Sequence, residues 1–410
     1  MRLALGIASA LGLARFAYGL LVPAMRSELH WSFAQAGALT TANSLGYLLG
    51  AVTATTVARR VGTAAAFRLG MVLTAVTLAA TAATSSYSLL LLTRGAAGVA
   101  GALVFVAGGT AASHAAARAR SAVPLTIFFS GAGLGIAVSG ALIPPLLSHH
   151  PERWPLVWAG LALTASLATA ASWTAPRDST EAVAAAAVTD LRAAARLWQP
   201  AVAYLLFGAG YIAYITFLSA YLATHHASVL QVALTWALLG RAAVAAPALW
   251  SRPIAAWPGT RALAVLLALL AGAAALALGW TTPVATTGSA IIYGAAFLGV
   301  PAAVTTFIRQ TVPPAGWTAT IAAFTVVFAA GQTAGPYLAG TLADHFGTGA
   351  TLVWTTALCA TGAAFAWLRT RGHPAARPAK TPRSALEAGQ LAPEPESCSS
   401  PHGTGRTERT

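Results

Sequence analysis

Three arginines lie inside long apolar stretches of the sequence, where a charge needs either a partner or water. Arg15, Arg94 and Arg241 each fall within a run of mostly apolar residues that contains no aspartate or glutamate. A charged side chain at the middle of a bilayer costs at least about 2.5 kcal/mol on insertion scales, so it faces a wet cavity or a partner. We predict that Arg15, near the middle of its run, contacts an anionic substrate such as a carboxylate or takes part in gating. The alternative is a structural arginine satisfied by carbonyls and water.

The other two arginines raise the same question. Arg241 lies as centrally in its run as Arg15, and a functional and a structural interpretation both apply to it. Arg94 lies towards one end of its run, where a long side chain can also snorkel to the surface. We keep both as candidates for substrate binding or gating.

Tyrosine and asparagine side chains accompany these arginines at helical spacing. Residues three or four apart share a helix face, which pairs Tyr18 with Arg15, Asn43 with Tyr47 and Tyr211 with Tyr214. Hydroxyl and amide groups suit recognition of a polar solute, although most membrane tyrosines pack or anchor at the interface. The candidate substrate-binding or gating residues are therefore Arg15, Tyr18, Asn43, Tyr47, Arg94, Tyr211, Tyr214 and Arg241.

The apolar stretches lack the groups that an intramembrane enzyme needs. They hold no paired carboxylates, no His/Cys/Asp cluster and no serine with a neighbouring base. Cys359 lies in an apolar run and Cys398 in a polar tail, so neither a metal cluster nor a disulfide is expected. We predict no catalytic residue, no metal and no cofactor. The spans contain no carboxylate that could carry a proton for proton-coupled transport, apart from Asp344 at the end of one span.

The composition places these residues in a lipid bilayer. Hydrophobic residues make up 57% of the chain and charged residues only 8%, whereas a soluble domain carries about a quarter charged residues. The formal net charge of +14 does not indicate nucleic acid, because the arginines lie singly or in pairs between apolar runs. The expected partners are the bilayer and a small-molecule substrate, with no nucleic acid, and we expect the protein to function as a monomer.

Twelve apolar runs are long enough to span a membrane, which takes about 20 residues. They are 3–24, 35–57, 69–85, 88–112, 124–147, 155–173, 200–222, 230–250, 261–280, 284–308, 317–341 and 348–368. We therefore predict an all-α membrane protein of twelve transmembrane helices in two pseudo-symmetric six-helix bundles. The bundles comprise residues 1–173 and 200–369, joined by a cytoplasmic linker at 174–199 and followed by a disordered cytoplasmic tail at 370–410.

The basic residues of the loops predict the orientation. With the N-terminus inside, the inner loops hold most of the loop arginines, and the outer loops hold only Arg26 and Arg153, each near a glutamate. This bias is the one expected of cytoplasmic loops. We predict a multi-pass protein of the bacterial inner membrane with both termini in the cytoplasm.

The two halves of the chain carry weak internal similarity, as internal duplication in transporters leaves. At offsets near 195, Gly12, Arg15, Ala17 and Tyr18 align with Gly208, Tyr211, Ala213 and Tyr214; Arg94-Gly95-Ala96-Ala97 with Tyr293-Gly294-Ala295-Ala296; and Gly131, Gly140 and Pro145 with Ala322, Gly331 and Pro336. The common offset favours duplication over chance.

Several motifs resemble those of the major facilitator superfamily over residues 1–370. Arg94-x-x-x-Gly98-x-x-Gly101 is similar to its helix-4 arginine motif, and Gly331-x-x-x-Gly335-Pro336-x-x-Ala339-Gly340 to its glycine–proline motif. Gly131…Gly140-x-x-x-Pro144-Pro145 is a degraded copy. In the loop 2–3 motif, Arg59-Arg60-Val61-Gly62 has arginine where the family has aspartate. The resemblance implies two bundles around a central cavity, with Gly131, Gly140, Pro145, Gly331, Gly335 and Pro336 as helix-packing residues.

A second group of residues narrows the resemblance within that superfamily. Arg15-Phe16-Ala17-Tyr18-Gly19, Pro23-Ala24-Met25-Arg26, Asn43 and Gly46-Tyr47 are similar to the poorly characterised YbfB/YjiJ-like branch. The function that follows is secondary active transport of a small solute by alternating access, with an organic anion or an exported compound as cargo. A multidrug exporter of lipophilic compounds is the alternative. A membrane sensor or an intramembrane enzyme is the alternative from another class.

Overall fold

The computed structural model describes residues 1–175 and 195–371, which form helices and short turns with no strand among them. The twelve long helices of these ranges are α1 Arg2–Leu29, α2 Phe33–Val61, α3 Thr63–Ala82, α4 Tyr87–Arg118, α5 Val123–Leu147, α6 Trp154–Ser172, α7 Trp198–Thr224, α8 Val229–Ala256, α9 Arg261–Gly279, α10 Pro283–Thr311, α11 Trp317–Phe346 and α12 Gly349–Arg371. The expected linker and tail lie largely outside the described residues.

Eleven of these helices are long and apolar enough to cross a membrane. The helix that misses this criterion is α2, which has 29 residues but carries many threonines along its length and two arginines at its end. Each of the twelve runs expected from the sequence coincides with one helix. The all-helical membrane fold is therefore confirmed.

Side-chain caps and glycines fix several helix ends. Ser32 and Gln35 form a reciprocal capping box at the start of α2, and Ser228 caps α8 through the backbone N–H of Gln231. Gly62 and Gly347 have φ values of 86° and 81°, which side chains with a Cβ rarely adopt, and they separate α2 from α3 and α11 from α12. Short connections of this kind return the chain directly into the membrane.

Two of the helices are irregular at mid-membrane. Residues Ala8–Phe16 of α1 are π-helical, and the segment ends where the backbone N–H of Ala17 donates to the carbonyl of Gly12, five residues back. Helix α10 is interrupted at Leu298, between the segments Pro283–Phe297 and Gly299–Thr311. π-Helical turns are frequent at functional sites, and both irregular segments lie beside the residues described below.

The helices of the N-terminal half (residues 1–175) meet those of the C-terminal half (195–371) along three contacts. These are α5 with α8, α2 with α11, and the Tyr18–Leu29 segment of α1 with α7. The backbone of the π-helical part of α1 packs against α5, α4 and α6 of its own half, and its Arg15 and Phe16 side chains contact the other half. We call the membrane side that carries the α1–α2 and α11–α12 turns the distal face, and the opposite side the terminal face.

Candidate functional site

Arg15 lies where the two halves meet at mid-membrane. Its Nη2 donates to the Oε1 of Gln332 at 2.8 Å, the hydroxyl of Ser44 at 3.3 Å and the hydroxyl of Tyr211 at 3.4 Å. Tyr211 in turn donates to the same oxygen of Gln332 at 3.2 Å. The ring of Tyr47 lies 5.1 Å from the guanidinium carbon. One positive charge thus links α1 and α2 of the N-terminal half to α7 and α11 of the C-terminal half.

Every group in contact with the Arg15 guanidinium is neutral. The side chain is 7% exposed, and its Nε lies buried without a hydrogen-bond partner, as does Nε2 of Gln332. Among the residues that the structure describes, His150 and Glu152 pair at 2.9 Å in a distal loop, away from Arg15. Because a buried charge needs compensation, this arrangement leaves Arg15 with unused donors and an uncompensated charge.

Arg94 occupies a second, separate cluster within the N-terminal half. Its Nη1 donates to the carbonyl of Ala14 at 2.6 Å, and its guanidinium carbon lies 5.2 Å from the rings of both Tyr18 and Trp158. The side chain is 1% exposed. These contacts hold the π-helical part of α1 against α4 and α6, so Arg94 positions the segment that carries Arg15 and does not itself reach the C-terminal half.

Tyr18 does not share a face with Arg15, contrary to what its spacing predicts. Its ring lies against Arg94, and its hydroxyl donates to the carbonyl of Ala36 at 2.8 Å. The physical reason is the π-helical segment, which ends between these two residues: its i→i−5 hydrogen bonds turn the chain less per residue than an α-helix does. No residue pattern in α1 indicated this change of helical phase.

Asn43 and Tyr214 also serve packing, and their side chains do not contact Arg15. Asn43 donates from Nδ2 to the carbonyl of Arg94 at 3.0 Å, where α2 crosses α4. Tyr214 shares a 2.8 Å hydrogen bond with Ser289 and stacks on Tyr293 at a ring separation of 3.8 Å, which joins α7 to α10. Of the predicted tyrosines, Tyr47 and Tyr211 are the two that the structure brings to Arg15.

Arg241 lies away from this site. It is exposed on α8, in a stripe that it shares with Leu234, Ala245 and Arg252, whereas its neighbour Gly240 packs against α5. Its central place in the run suggested a role like that of Arg15. In the structure, however, Arg241 lies on the side of α8 that faces away from the neighbouring helices. A long side chain on such a face can snorkel towards polar surroundings.

Aromatic rings continue from Arg15 towards the terminal face. Tyr211, Phe207, Tyr204 and Phe328 stack in the C-terminal half, with ring separations of 4.8 Å for Tyr211–Phe207, 4.8 Å for Tyr204–Phe328 and 5.7 Å for Tyr211–Phe328. Opposite them, Tyr47 contacts Phe105 at 6.2 Å. Rings from both halves, those of Tyr211 and Tyr47, therefore lie next to Arg15.

The glycine motifs bring helix backbones into direct contact. A Cβ on Gly331 or Gly335 of α11 would meet the carbonyl of Leu205 or Ala209 in α7; one on Gly131 would meet Ala4 of α1, and one on Gly140 would meet Trp236 of α8. The carbonyl of Pro336 lies against Gly37 of α2, whereas Pro145 is exposed near the end of α5. Small residues at helix crossings permit this close approach.

Two residues of the site were not predicted from the sequence as Arg15 partners. Ser44 and Gln332 were not among the candidate residues taken from the sequence. Gln332 joins α11 to both α1 and α7. The signal that could have identified it is its place at mid-helix, where an amide is costly without a partner.

The fold of the chain is similar to the folds of solved membrane transporters. A mutant of the nucleoside transporter NupG superposes with a TM-score of 0.69 at 16% identity, over 91% of this chain and 100% of that chain. A bacterial homolog to the human lysosomal transporter Spinster, in an inward-facing and occupied conformation, gives a TM-score of 0.66 at 18% identity, over 91% and 96% of the two chains. At these identities the likeness shows the fold alone.

The family model that matches the chain identifies a membrane transporter of the major facilitator superfamily, as the motifs in α4 and α11 predicted. More particularly, the chain belongs to the family described as uncharacterised MFS-type transporter YbfB, whose model matches residues 7–370. None of the curated proteins compared with the chain matches it. Both the family and its transporter neighbours point away from an enzyme.

Proposed function

We propose that this protein is a secondary active transporter that moves a small organic anion across the inner membrane by alternating access. The observation that carries the proposal is the neutral surroundings of Arg15. Nη2 of this side chain is held by Ser44, Tyr211 and Gln332, which are all neutral. An anion that enters the space beside Arg15 supplies the missing negative charge.

The position of Arg15 between the halves supports a role in alternating access. Its hydrogen bonds to Tyr211 and Gln332 cross from one half to the other, so they must break or rearrange whenever the halves separate at this depth. We propose that residues 1–173 and 200–369 each form a six-helix bundle that moves as a unit around this point. A ligand that binds Arg15 then competes with, or replaces, a contact between the bundles.

Contacts at the distal face support an inward-facing assignment for this state. A Cβ on Gly19 would meet the carbonyl of Ile215, so α1 and α7 touch there. Asp344 of α11 caps the start of α2. Since the inner loops carry the basic residues, the terminal face is proposed to be cytoplasmic. The distal route is then closed, and the site is reached from the cytoplasm.

The aromatic rings beside Arg15 favour a second candidate function, export of lipophilic compounds. Stacked rings such as Tyr204, Phe207 and Phe328 offer an apolar surface that binds lipophilic molecules of many shapes. In that case Arg15 would hold the two halves together and would not bind cargo. The two functions differ in whether removal of the Arg15 charge changes ligand binding.

Thermal stabilisation of the purified protein distinguishes the two candidates, because ligand binding to the folded state raises the Tm. Organic anions, lipophilic cations and neutral sugars are compared on wild type, Arg15→Ala and Arg241→Ala. We expect anions to stabilise wild type and Arg241→Ala, whose exposed arginine is the matched control, but not Arg15→Ala. Proteoliposomes with folded Arg15→Ala are expected to show no uptake of the stabilising anion. Stabilisation by lipophilic cations alone, unchanged in Arg15→Ala, would support the exporter and overturn the anion proposal.

A further inference from the structure

We infer that the anion is an aromatic carboxylate: a planar ring system that carries one carboxylate group. The inference rests on the proposed function and narrows the substrate class of the same site. It is carried by the combination of one uncompensated guanidinium with partly exposed aromatic rings within reach on both halves.

The guanidinium defines the anionic end of the ligand. Nη2 of Arg15 makes all three hydrogen bonds that the described residues offer it, which fixes the plane of the group. Nε has no hydrogen-bond partner, and 7% of the surface of Arg15 is accessible. A planar, oriented guanidinium recognises a planar carboxylate more strongly than it recognises a diffuse charge or a neutral hydroxyl. One carboxylate matches the one available arginine.

The rings of the C-terminal half define the rest of the ligand. Phe328 of α11 is partly exposed and closes a stack with Tyr204 at 4.8 Å, with Phe207 at 5.7 Å and with Tyr211 at 5.7 Å. Interplanar angles in these three pairs are 17°, 19° and 22°. The rings are therefore nearly parallel, and the partly exposed member presents a further place where a flat ring can stack in an offset arrangement.

The N-terminal half offers rings of its own on the other side of Arg15. Tyr47 lies over the guanidinium and is partly exposed, as are Phe105 and Phe129, which follow it at ring separations of 6.2 Å and 5.6 Å. Interplanar angles of 70° and 53° present ring edges as well as faces. An aromatic ligand could make edge-to-face contacts with the rings of the N-terminal half and stack on the rings of the C-terminal half. A saturated ligand makes neither kind of contact.

The test compares three probes that differ in one property at a time. They are 2-naphthoate, which is aromatic and anionic; decahydronaphthalene-2-carboxylate, which is anionic and saturated; and 2-naphthamide, which is aromatic and neutral. Binding is measured calorimetrically on purified wild type, Arg15→Ala, Phe328→Leu and Phe365→Leu. Phe365 is a partly buried ring in α12 that packs on Trp198, away from Arg15, and is the matched control for Phe328.

We expect wild type to bind 2-naphthoate about tenfold more tightly than the saturated carboxylate, the size of effect that one or two aromatic contacts provide. Phe328→Leu is expected to reduce this ratio towards one while both carboxylates still bind, and Phe365→Leu to leave it unchanged. Arg15→Ala is expected to lose both carboxylates. The saturated carboxylate is the more lipophilic of the two anions, so partition into detergent cannot imitate the expected order.

The contrary outcomes separate the inference from the proposed function. Equal affinity for the two carboxylates, with both lost in Arg15→Ala, would overturn the aromatic inference and leave the anion transporter standing. Equal affinity for 2-naphthoate and 2-naphthamide, unchanged in Arg15→Ala, would overturn both. Absence of 2-naphthoate binding at millimolar concentration to wild type that is shown to be folded would overturn the inference.

Discussion

The carboxylate of Asp344, at the distal end of α11, accepts a hydrogen bond of 2.6 Å from the backbone N–H of Phe33, the first residue of α2. Its second oxygen accepts one of 2.9 Å from the next N–H, of Ala34. A carboxylate at a helix N-terminus accepts hydrogen bonds from the free backbone N–H groups, and its negative charge interacts favourably with the helix dipole. Here the acid and the helix belong to different halves of the protein, so the cap exists only while the distal face is closed.

Asp344→Asn is therefore expected to favour opening of the distal face. Asparagine keeps one acceptor oxygen but loses the charge and the second acceptor, a loss worth about 1 kcal/mol, which shifts the equilibrium about fivefold. The reporter is Ala24→Cys, since Ala24 is 6% exposed in the closed face, in a background where Cys398 is replaced by serine and Cys359 is buried. Reaction with a bulky polar thiol reagent in detergent is expected to become about fivefold faster.

The control for this experiment is Glu28→Gln. Glu28 is an exposed acid at the distal end of α1, so the change removes a negative charge from the same face without removing the cap. Its labelling rate is expected to equal that of the parent. Equal rates in Asp344→Asn and Glu28→Gln would show that the cap does not hold the distal face closed.

Tyr211→Phe is expected to weaken anion binding about tenfold, since hydrogen bonds to charged groups are worth about 1.5–3 kcal/mol. The hydroxyl both accepts from Arg15 and donates to Gln332, so its loss lets the guanidinium turn. Tyr214→Phe, one turn along α7, removes a hydroxyl that bonds Ser289 and is expected to leave the Kd unchanged. A Kd that rises equally in both variants would indicate a general packing effect.

Arg94→Gln is expected to lower the stability of the protein by about 3 kcal/mol, the combined size of a buried hydrogen bond from a charged group and of desolvated cation–π contacts. The lost partners are the carbonyl of Ala14 and the rings of Tyr18 and Trp158. Differential scanning fluorimetry should show a clear fall in Tm, and Arg241→Gln should not. An unchanged Tm in Arg94→Gln with loss of transport would instead assign Arg94 to the substrate path.

Gly335→Ile is expected to destabilise the contact of α11 with α7, because the added side chain meets the backbone of Ala209. Overpacking of this kind costs about 1–3 kcal/mol or more. Gly272→Ile in α9 is the matched control, since nothing lies within 4 Å of a Cβ at Gly272. The yield of folded monomer in gel filtration is expected to fall for Gly335→Ile alone. Equal yields would mean that the two helices separate at little cost.

Composition and hydropathy were sufficient to predict the helices, because each span must be apolar over the bilayer thickness and polar at its ends. Family motifs in α4 and α11 were sufficient to predict the superfamily. The site was predicted in part: Arg15, Tyr47 and Tyr211 meet, whereas Arg241 lies on the exposed stripe of α8. A central place in a span gives depth in the membrane but does not give the direction in which the side chain points.

The partners of Arg15 from the other half could not be predicted by spacing. Gln332 lies 317 residues away in sequence, and only the packing of α11 on α7 brings its amide to Arg15. Tyr18 was misplaced for a local reason, the π-helical turn of α1. Residue spacing predicts a shared face only where the helix keeps one period throughout, and α1 does not.

The nine π-helical residues of α1 can change the helical winding of this segment. When a π-helical segment rewinds to α-helix, the helix on one side of the segment rotates relative to the helix on the other side. A shift of one residue in the hydrogen-bond register corresponds to a rotation of about 100°, because an α-helix has 3.6 residues per turn. Rotation of that size would swing the Arg15 guanidinium away from Gln332 and would turn one end of α1 relative to the other. Local rewinding of α1 would therefore move the Arg15 side chain, so that rigid-body motion of the halves need not supply all of its displacement.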